Sequence, residues 1–261
     1  MISKIPLKNY FPGTLVAGVV FFMLWFLLSN SGFISRTLIA TPAEVWQTVE
    51  QAFSQDASIS EKFHLHAWAT IERALGGWTV AGFFGIVGGI AVGNVARAYD
   101  ASEVLTEFVR AIPPILLFPL MLVAFNYGEG AYHWTVVVGC FPIMFLTIAK
   151  GTASIERQRI EFLNVAGANK LTTVFAQGME IMPSVFLGSR LTLATALTIA
   201  VVTEMIFSPR NGMSLGALAR DAEIDFNTPM FYTSIITIGL FGYFSNYFLR
   251  KIEFYFSPKD N

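Results

Sequence analysis

Apolar residues in this chain gather in long charge-poor windows, not in the alternating pattern of strands or the narrow stripes of soluble helices. Six windows approach the roughly 20 residues that cross a bilayer as a helix. They cover about 10–28, 74–94, 111–127, 131–149, 184–207 and 230–249. The third is broken by Pro113, Pro114 and Pro119, and the fifth carries Arg190 and Glu204. Backbone groups in lipid must be satisfied within their own segment, so the windows predict helices. Lys4 and Lys8 resemble the start of a signal peptide. However, the following apolar run is longer than a signal core and no small-x-small site follows Leu28, so a retained first helix is expected.

Composition agrees. The 261 residues are 54% hydrophobic and 13% charged, with mean hydropathy +0.57, about half the usual charge of a soluble domain. A soluble enzyme is thereby nearly excluded. The 17 Lys and Arg against 18 Asp and Glu leave no basic face for nucleic acid. Cys140 is the lone cysteine and cannot form an intramolecular bridge. The expected fold is an all-α integral membrane protein of six transmembrane helices, one domain over 1–261 without internal repeats. With the N-terminus in the cytoplasm, 11 Lys and Arg (Arg110 among them) fall inside and 4 outside, so both termini are expected to be cytoplasmic.

Between the windows, Thr41-Pro42-Ala43-Glu44 reads as a helix start with a capping box, and Val45, Val49, Ala52 and Phe53 recur at helical spacing. A short external amphipathic helix is expected there, on the membrane surface or against the bundle. In the second window Gly77, Ala81, Gly85, Gly89 and Gly93 recur every fourth residue, a face that lets another helix approach closely. Packing within the chain is the preferred reading over a dimer seam.

Ionisable groups in membrane segments are functional candidates by default. Arg190 is expected near the cytoplasmic end of helix five, snorkelling. Glu204 lies near the outer end, level with Arg73, so an Arg73–Glu204 pair is geometrically possible. Pro119 predicts a kink inside helix three. Helices three and five, with Arg73, Pro119, Arg190 and Glu204, are the candidates for path or gate.

The segment 150–183 is the only long polar stretch assigned to the inside. It reads as a helix, a turn at Gly167-Ala168-Asn169 and a second short helix ending at Pro183. Glu161, followed by Ala166-Gly167-Ala168 and the Ile181-Met182-Pro183 end, resembles the EAA loop of binding-protein-dependent ABC importers. Thr41-Pro42-Ala43-Glu44-Val45-Trp46, Arg110-Ala111-Ile112-Pro113-Pro114, Gly188-Ser189-Arg190-Leu191 and Val202-Thr203-Glu204-Met205 resemble permease subunits of the nitrate/sulfonate/taurine family, in order, from about Leu38 to Glu253. Phe162 and Leu163 stand where that loop has small residues, and Gly167 to Pro183 is about one residue short.

The resemblance implies a six-helix permease paired with a second copy, most simply as a homodimer. It also implies two cytoplasmic ATPases docked on the Glu161–Pro183 loop and an external solute-binding protein delivering a small solute of anionic type. The chain has no Gly-x-x-x-x-Gly-Lys-Ser/Thr loop, so ATP and Mg are expected on the partner ATPase, with no cofactor, metal or catalytic residue here. His64 and His66 are expected to be solvated. The rival readings are a secondary carrier, for which paired repeats and midplane charges are missing, and a membrane enzyme, for which a clustered site is missing.

Overall fold

The computed structural model describes residues 10–53, 57–155, 165, 167 and 169–256. The described residues form α1 (Tyr10–Asn30), α2 (Pro42–Phe53), α3 (Ala57–Gly93), α4 (Ala96–Ala111), a 3₁₀ turn (Pro114–Leu117), α5 (Phe118–Ala124), α6 (Gly130–Ala153), α7 (Lys170–Phe207), α8 (Leu215–Ile224) and α9 (Thr228–Phe256).

The core is the α3–α6 interface. A Cβ on Gly77 would lie 2.5 Å from Val136 Cβ, one on Gly85 2.7 Å from Met144 Cβ, and one on Gly89 2.7 Å from Ile148 Cβ. A Cβ on Gly93 would lie 2.6 Å from Ala149 O, and Ala81 is fully buried. The small-residue stripe therefore packs within the chain. The pairs 77/136, 85/144 and 89/148 keep one offset, so α3 and α6 run in the same direction. Helix α7 runs the opposite way, since Gly188 meets Met144 while Cys140 Sγ donates to Thr192 O at 3.3 Å.

Parallel α3 and α6 oblige the chain between them to return through the bundle. It does so in a broken element: α4 and the turn-plus-α5 unit meet at 79°. At one end Glu103 pairs with Lys150 at 2.9 Å; midway Pro114 packs at Gly139; at the other end Phe118 meets Tyr132 and Phe207 at 4.8 and 4.6 Å between ring centroids. The expected helix over 111–127 is thus not one helix. Pro113 and Pro114 remove two donors and start a 3₁₀ turn, and Pro119 occupies the first turn of α5, where no donor is needed, instead of kinking a helix interior.

A second correction concerns 150–183. Helix α7 begins at Lys170, capped by Asn169 Oδ1 accepting from Thr172 N at 2.8 Å, and continues through Pro183 to Phe207. Ile181 and Phe186, buried on either side of the proline, hold the helix in register, with Ile181 packed on Met144 and Ile148. The second half of the expected loop is therefore continuous with the fifth window.

Of six expected spans, three helices carry windows long and apolar enough to cross a membrane: Phe63–Gly93, Gly130–Ala153 and Phe175–Phe207. The broken α4–α5 element makes a fourth if counted as one span. Val16–Asn30 is a shorter apolar helix, and α9 is diluted by Tyr, Ser, Thr and Asn residues. Helix α2 starts with the capping box read from the sequence: Thr41 N donates to Glu44 Oε2 at 2.8 Å and Glu44 N to Thr41 Oγ1 at 3.2 Å. Its apolar face, with Val45 and Ala52 buried, packs on α3 and α9.

Candidate functional site

A polar cluster closes one end of the bundle. Thr70 and Arg73 lie one turn apart on α3 and so share a face. Arg73 Nη1 donates to Glu204 Oε1 of α7 at 2.9 Å, and its Nε and Nη2 each donate to the Glu129 carboxylate at 2.8 Å, a two-point clamp. Its Cζ sits 4.4 Å from the centre of the Tyr132 ring. The second Glu204 oxygen accepts from Thr70 Oγ1 at 2.7 Å and from Gly216 N at 3.2 Å. The side chain of Glu204 is 0% exposed and that of Arg73 8%, whereas Glu129 is 67% exposed.

The cluster is completed by the start of α8, whose first amides have no helical acceptor. Leu215 N donates to Thr70 Oγ1 at 2.8 Å, Gly216 N to Glu204, and Ala217 N to the N-cap Ser214 Oγ at 3.1 Å. Ser214 N donates to His66 Nδ1 at 2.9 Å, so His66 helps to position α8 and is not simply solvated. Gly216 is needed for this approach: a Cβ there would lie 2.5 Å from Val201 O and 2.6 Å from Glu204 Cβ.

The Arg73–Glu204 pair was legible from the two window ends; Thr70, Glu129 and α8 were not. Glu129 sits in Gly128-Glu129-Gly130, a lone carboxylate at the edge of an apolar window, and that placement was the available signal. Within α8, Asp221 accepts from Asn211 N and from Arg220. Burial raises its pKa, but those two donors and Arg210 outweigh it and hold the carboxyl below its ordinary value.

Midway along α7, not near a helix end as expected, Arg190 pairs with Glu253 of α9 at 3.0 Å, both about a quarter exposed. Arg190 also opens one end of a groove of ≈ 370 Å³ between α7 and α9, lined by Leu197, Thr198, Val201 and Asn246. Gly167 has φ +78, the left-handed region that favours glycine, with open space around it. Glu161, Phe162, Leu163, Ala166 and Ala168 lie outside the described residues, and Pro183 lies inside α7. Among the described residues no group of three or more His, Cys, Asp or Glu could hold a metal ion.

Among the described residues, a helical bundle with three helices long and apolar enough to cross a membrane, closed at one end by a buried charge cluster, defines the class as a polytopic helical membrane protein. The chain matches the binding-protein-dependent transport system inner membrane component family over residues 81–258, and it belongs to that family. It is similar to the taurine transport system permease protein of Escherichia coli, 22% identical over 240 residues, covering 92% of this chain and 86% of that protein. The riboflavin transport system permease protein of Chloroflexus aurantiacus is 28% identical over 231 residues, 88% and 82% of the two chains. An inward-facing structure of the MetNI methionine ABC transporter shares the fold, with TM-score 0.59 and 20% identity over 73% of this chain and 97% of that one. The chain is thus a permease subunit of an ABC importer, of the nitrate/sulfonate/taurine family whose motifs it carries, and a transport component, not a catalyst.

Proposed function

We propose that this chain forms half of a translocation path for a small anion of the nitrate, sulfonate or taurine kind, and that the Arg73–Glu204 cluster latches its outer end. A second copy completes the path, and a solute-binding protein delivers substrate at the Arg73 end. Two ATPases dock on the opposite, cytoplasmic side through Glu161–Ala168 and the exposed start of α7, and bind the ATP and Mg²⁺. The chain sits in the inner membrane with both termini cytoplasmic. The taurine, nitrate and aliphatic sulfonate permeases among its relatives support a substrate that carries an oxyanion group.

One observation carries the latch: a single buried carboxylate, Glu204, ties α3, α7 and α8 together. A charge pair of this kind roughly offsets its own desolvation, but either partner alone is costly. Such a contact suits a junction that must open and reclose. Helix α7 spans the bundle, so motion imposed at its Lys170 end reaches Glu204.

The test is a double-mutant cycle on the reconstituted importer, reading ATP hydrolysis without the binding protein. Arg73→Ala and Glu204→Gln should each raise basal turnover. The double variant should be no worse than the stronger single one, a coupling of about 1 kcal/mol or more. Additive effects, or unchanged basal turnover in folded single variants, would overturn the latch.

A further inference from the structure

We infer that Arg110 recognises the anionic group of the substrate inside the path, at the central level of the bundle; this deepens the permease reading and rests on it. The charge count along the sequence assigns Arg110 to the cytoplasm. The structure carries it further in. Seven residues before it, Glu103 pairs with Lys150 near the end of α6; four residues after it, Pro114 packs at Gly139. Lys150 and Gly139 are ~16 Å apart along α6 at 1.5 Å per residue. Arg110 lies between these levels, in a cavity of ≈ 210 Å³ with Gly139, Pro142 and Ile143 of α6 and Thr195 of α7.

Three features of this place point to a water-filled path rather than lipid. Arg110 is exposed, and a guanidinium facing hydrocarbon at that level is costly. Helix α4 ends at Ala111 and the chain turns through 79°, and such irregular backbone at depth is tolerated only against protein or water. Pro142 has no N–H, so the carbonyl of Val138, which lines the same cavity, lacks its helical partner.

Arg110 is also uncommitted. Among the described residues it makes no ion pair, unlike Arg73, Arg190, Arg210 and Arg220, each held by a carboxylate. Glu107, one turn earlier, does not engage it, and Glu103 is taken by Lys150. A planar five-donor cation with no internal acceptor, in a small wet cavity, fits the planar or tetrahedral oxygens of a nitrate, carboxylate or sulfonate.

The test uses the full chain in nanodiscs, with Cys140→Ser so that the hydroxyl keeps the bond to Thr192 O, and Thr195→Cys as reporter. Labelling rates are measured with an anionic sulfonatoethyl and a cationic trimethylammonium-ethyl methanethiosulfonate, each relative to a free thiol in solution. With Arg110 present, the new thiol should favour the anionic reagent roughly tenfold, the effect of one cation at contact range in a partly aqueous site. Arg110→Gln should remove that preference and Arg110→Lys should retain most of it. No labelling by either reagent, or a ratio indifferent to Arg110, would overturn the inference. Binding of an ABC ATPase by the parent chain is measured in parallel. Its loss would count against the permease reading, and its retention beside a flat ratio would confine the failure to Arg110.

Discussion

The two faces of α3 are built on opposite principles. Toward α6, the stripe from Gly77 to Gly93 brings backbone against side chain, and no Cβ could be added to its glycines without displacing Val136, Met144, Ile148 or Thr152. Toward α8 and the Glu204 end of α7, the contact is made by Thr70 and Arg73 reaching into a buried carboxylate, whereas further along α3 Ala74 and Ala81 join the apolar core of α7. Close packing is strong only at one separation and in one register. A charged, hydrogen-bonded contact can be exchanged for water when it parts. The same helix therefore carries a seam fit to stay shut and a contact fit to open, and motion during transport should leave α3–α6 intact while α8 and the Glu204 end of α7 move against it.

The sharpest way to break this comparison is to fill the static seam. A side chain at Gly85 meets Met144 Cβ at 2.7 Å and the backbone N of Phe145 at 3.1 Å, so neither neighbour can yield cheaply. Gly85→Leu should cost at least about 3 kcal/mol, the upper end of overpacking, and remove most of the folded protein from detergent extracts. A well-folded Gly85→Leu chain, by size-exclusion profile and thermal unfolding, would show that the seam is slack.

Gly216→Ala tests the other seam with a single methyl group. Its Cβ would press on Val201 O and Glu204 Cβ, pushing α8 off the carboxylate. The expected cost is about 1–3 kcal/mol, less than at Gly85 because α8 is a ten-residue helix. The chain should still fold, but basal ATP hydrolysis by the assembled importer should rise as in Glu204→Gln. A destabilised variant with unchanged basal turnover would separate α8 from the latch.

The contrast between the seams also explains what could be read from the sequence. A four-residue repeat of glycines has one structural consequence, close approach, and the Thr41–Glu44 box satisfies both its partners locally. Arg73 and Glu204 were found because each ends an apolar window. Where the reading failed, tertiary context decided. Pro183 looked like a terminus but is carried inside α7 by the packing of Ile181 and Phe186. The window over 111–127 looked like a span because apolar content is blind to the break at Pro113-Pro114. Arg110 was assigned by a window edge alone, and an edge gives no depth when the helix ends inside the bundle.

The smallest effect is expected away from both seams, at the capping box of α2. The Glu44 carboxylate accepts from Thr41 N while Glu44 N donates to Thr41 Oγ1, a reciprocal pair, and Arg36 Nη1 donates to the carboxylate at 3.2 Å. These bonds, Thr41 N first, outweigh the opposing effect of burial and hold its carboxyl below the ordinary 4.5. A depressed folded pKa stabilises above the unfolded value and loses that contribution as pH falls through the folded one. The box should therefore act fully at neutral pH and fade below about the ordinary carboxylate range. Glu44→Gln keeps an acceptor oxygen but not the charge, so at pH 7 it should cost no more than about 0.5 kcal/mol, the low end for helix caps. The difference in unfolding midpoint between Glu44→Gln and the parent chain should shrink progressively as pH falls below 4.5 and through the lowered folded value. Because α2 touches α9 and α3 but neither Arg73 nor Glu204, basal ATP hydrolysis should not move. A pH-independent difference would show that the charge of Glu44 contributes nothing, and raised basal turnover would place α2 in the moving half of the molecule.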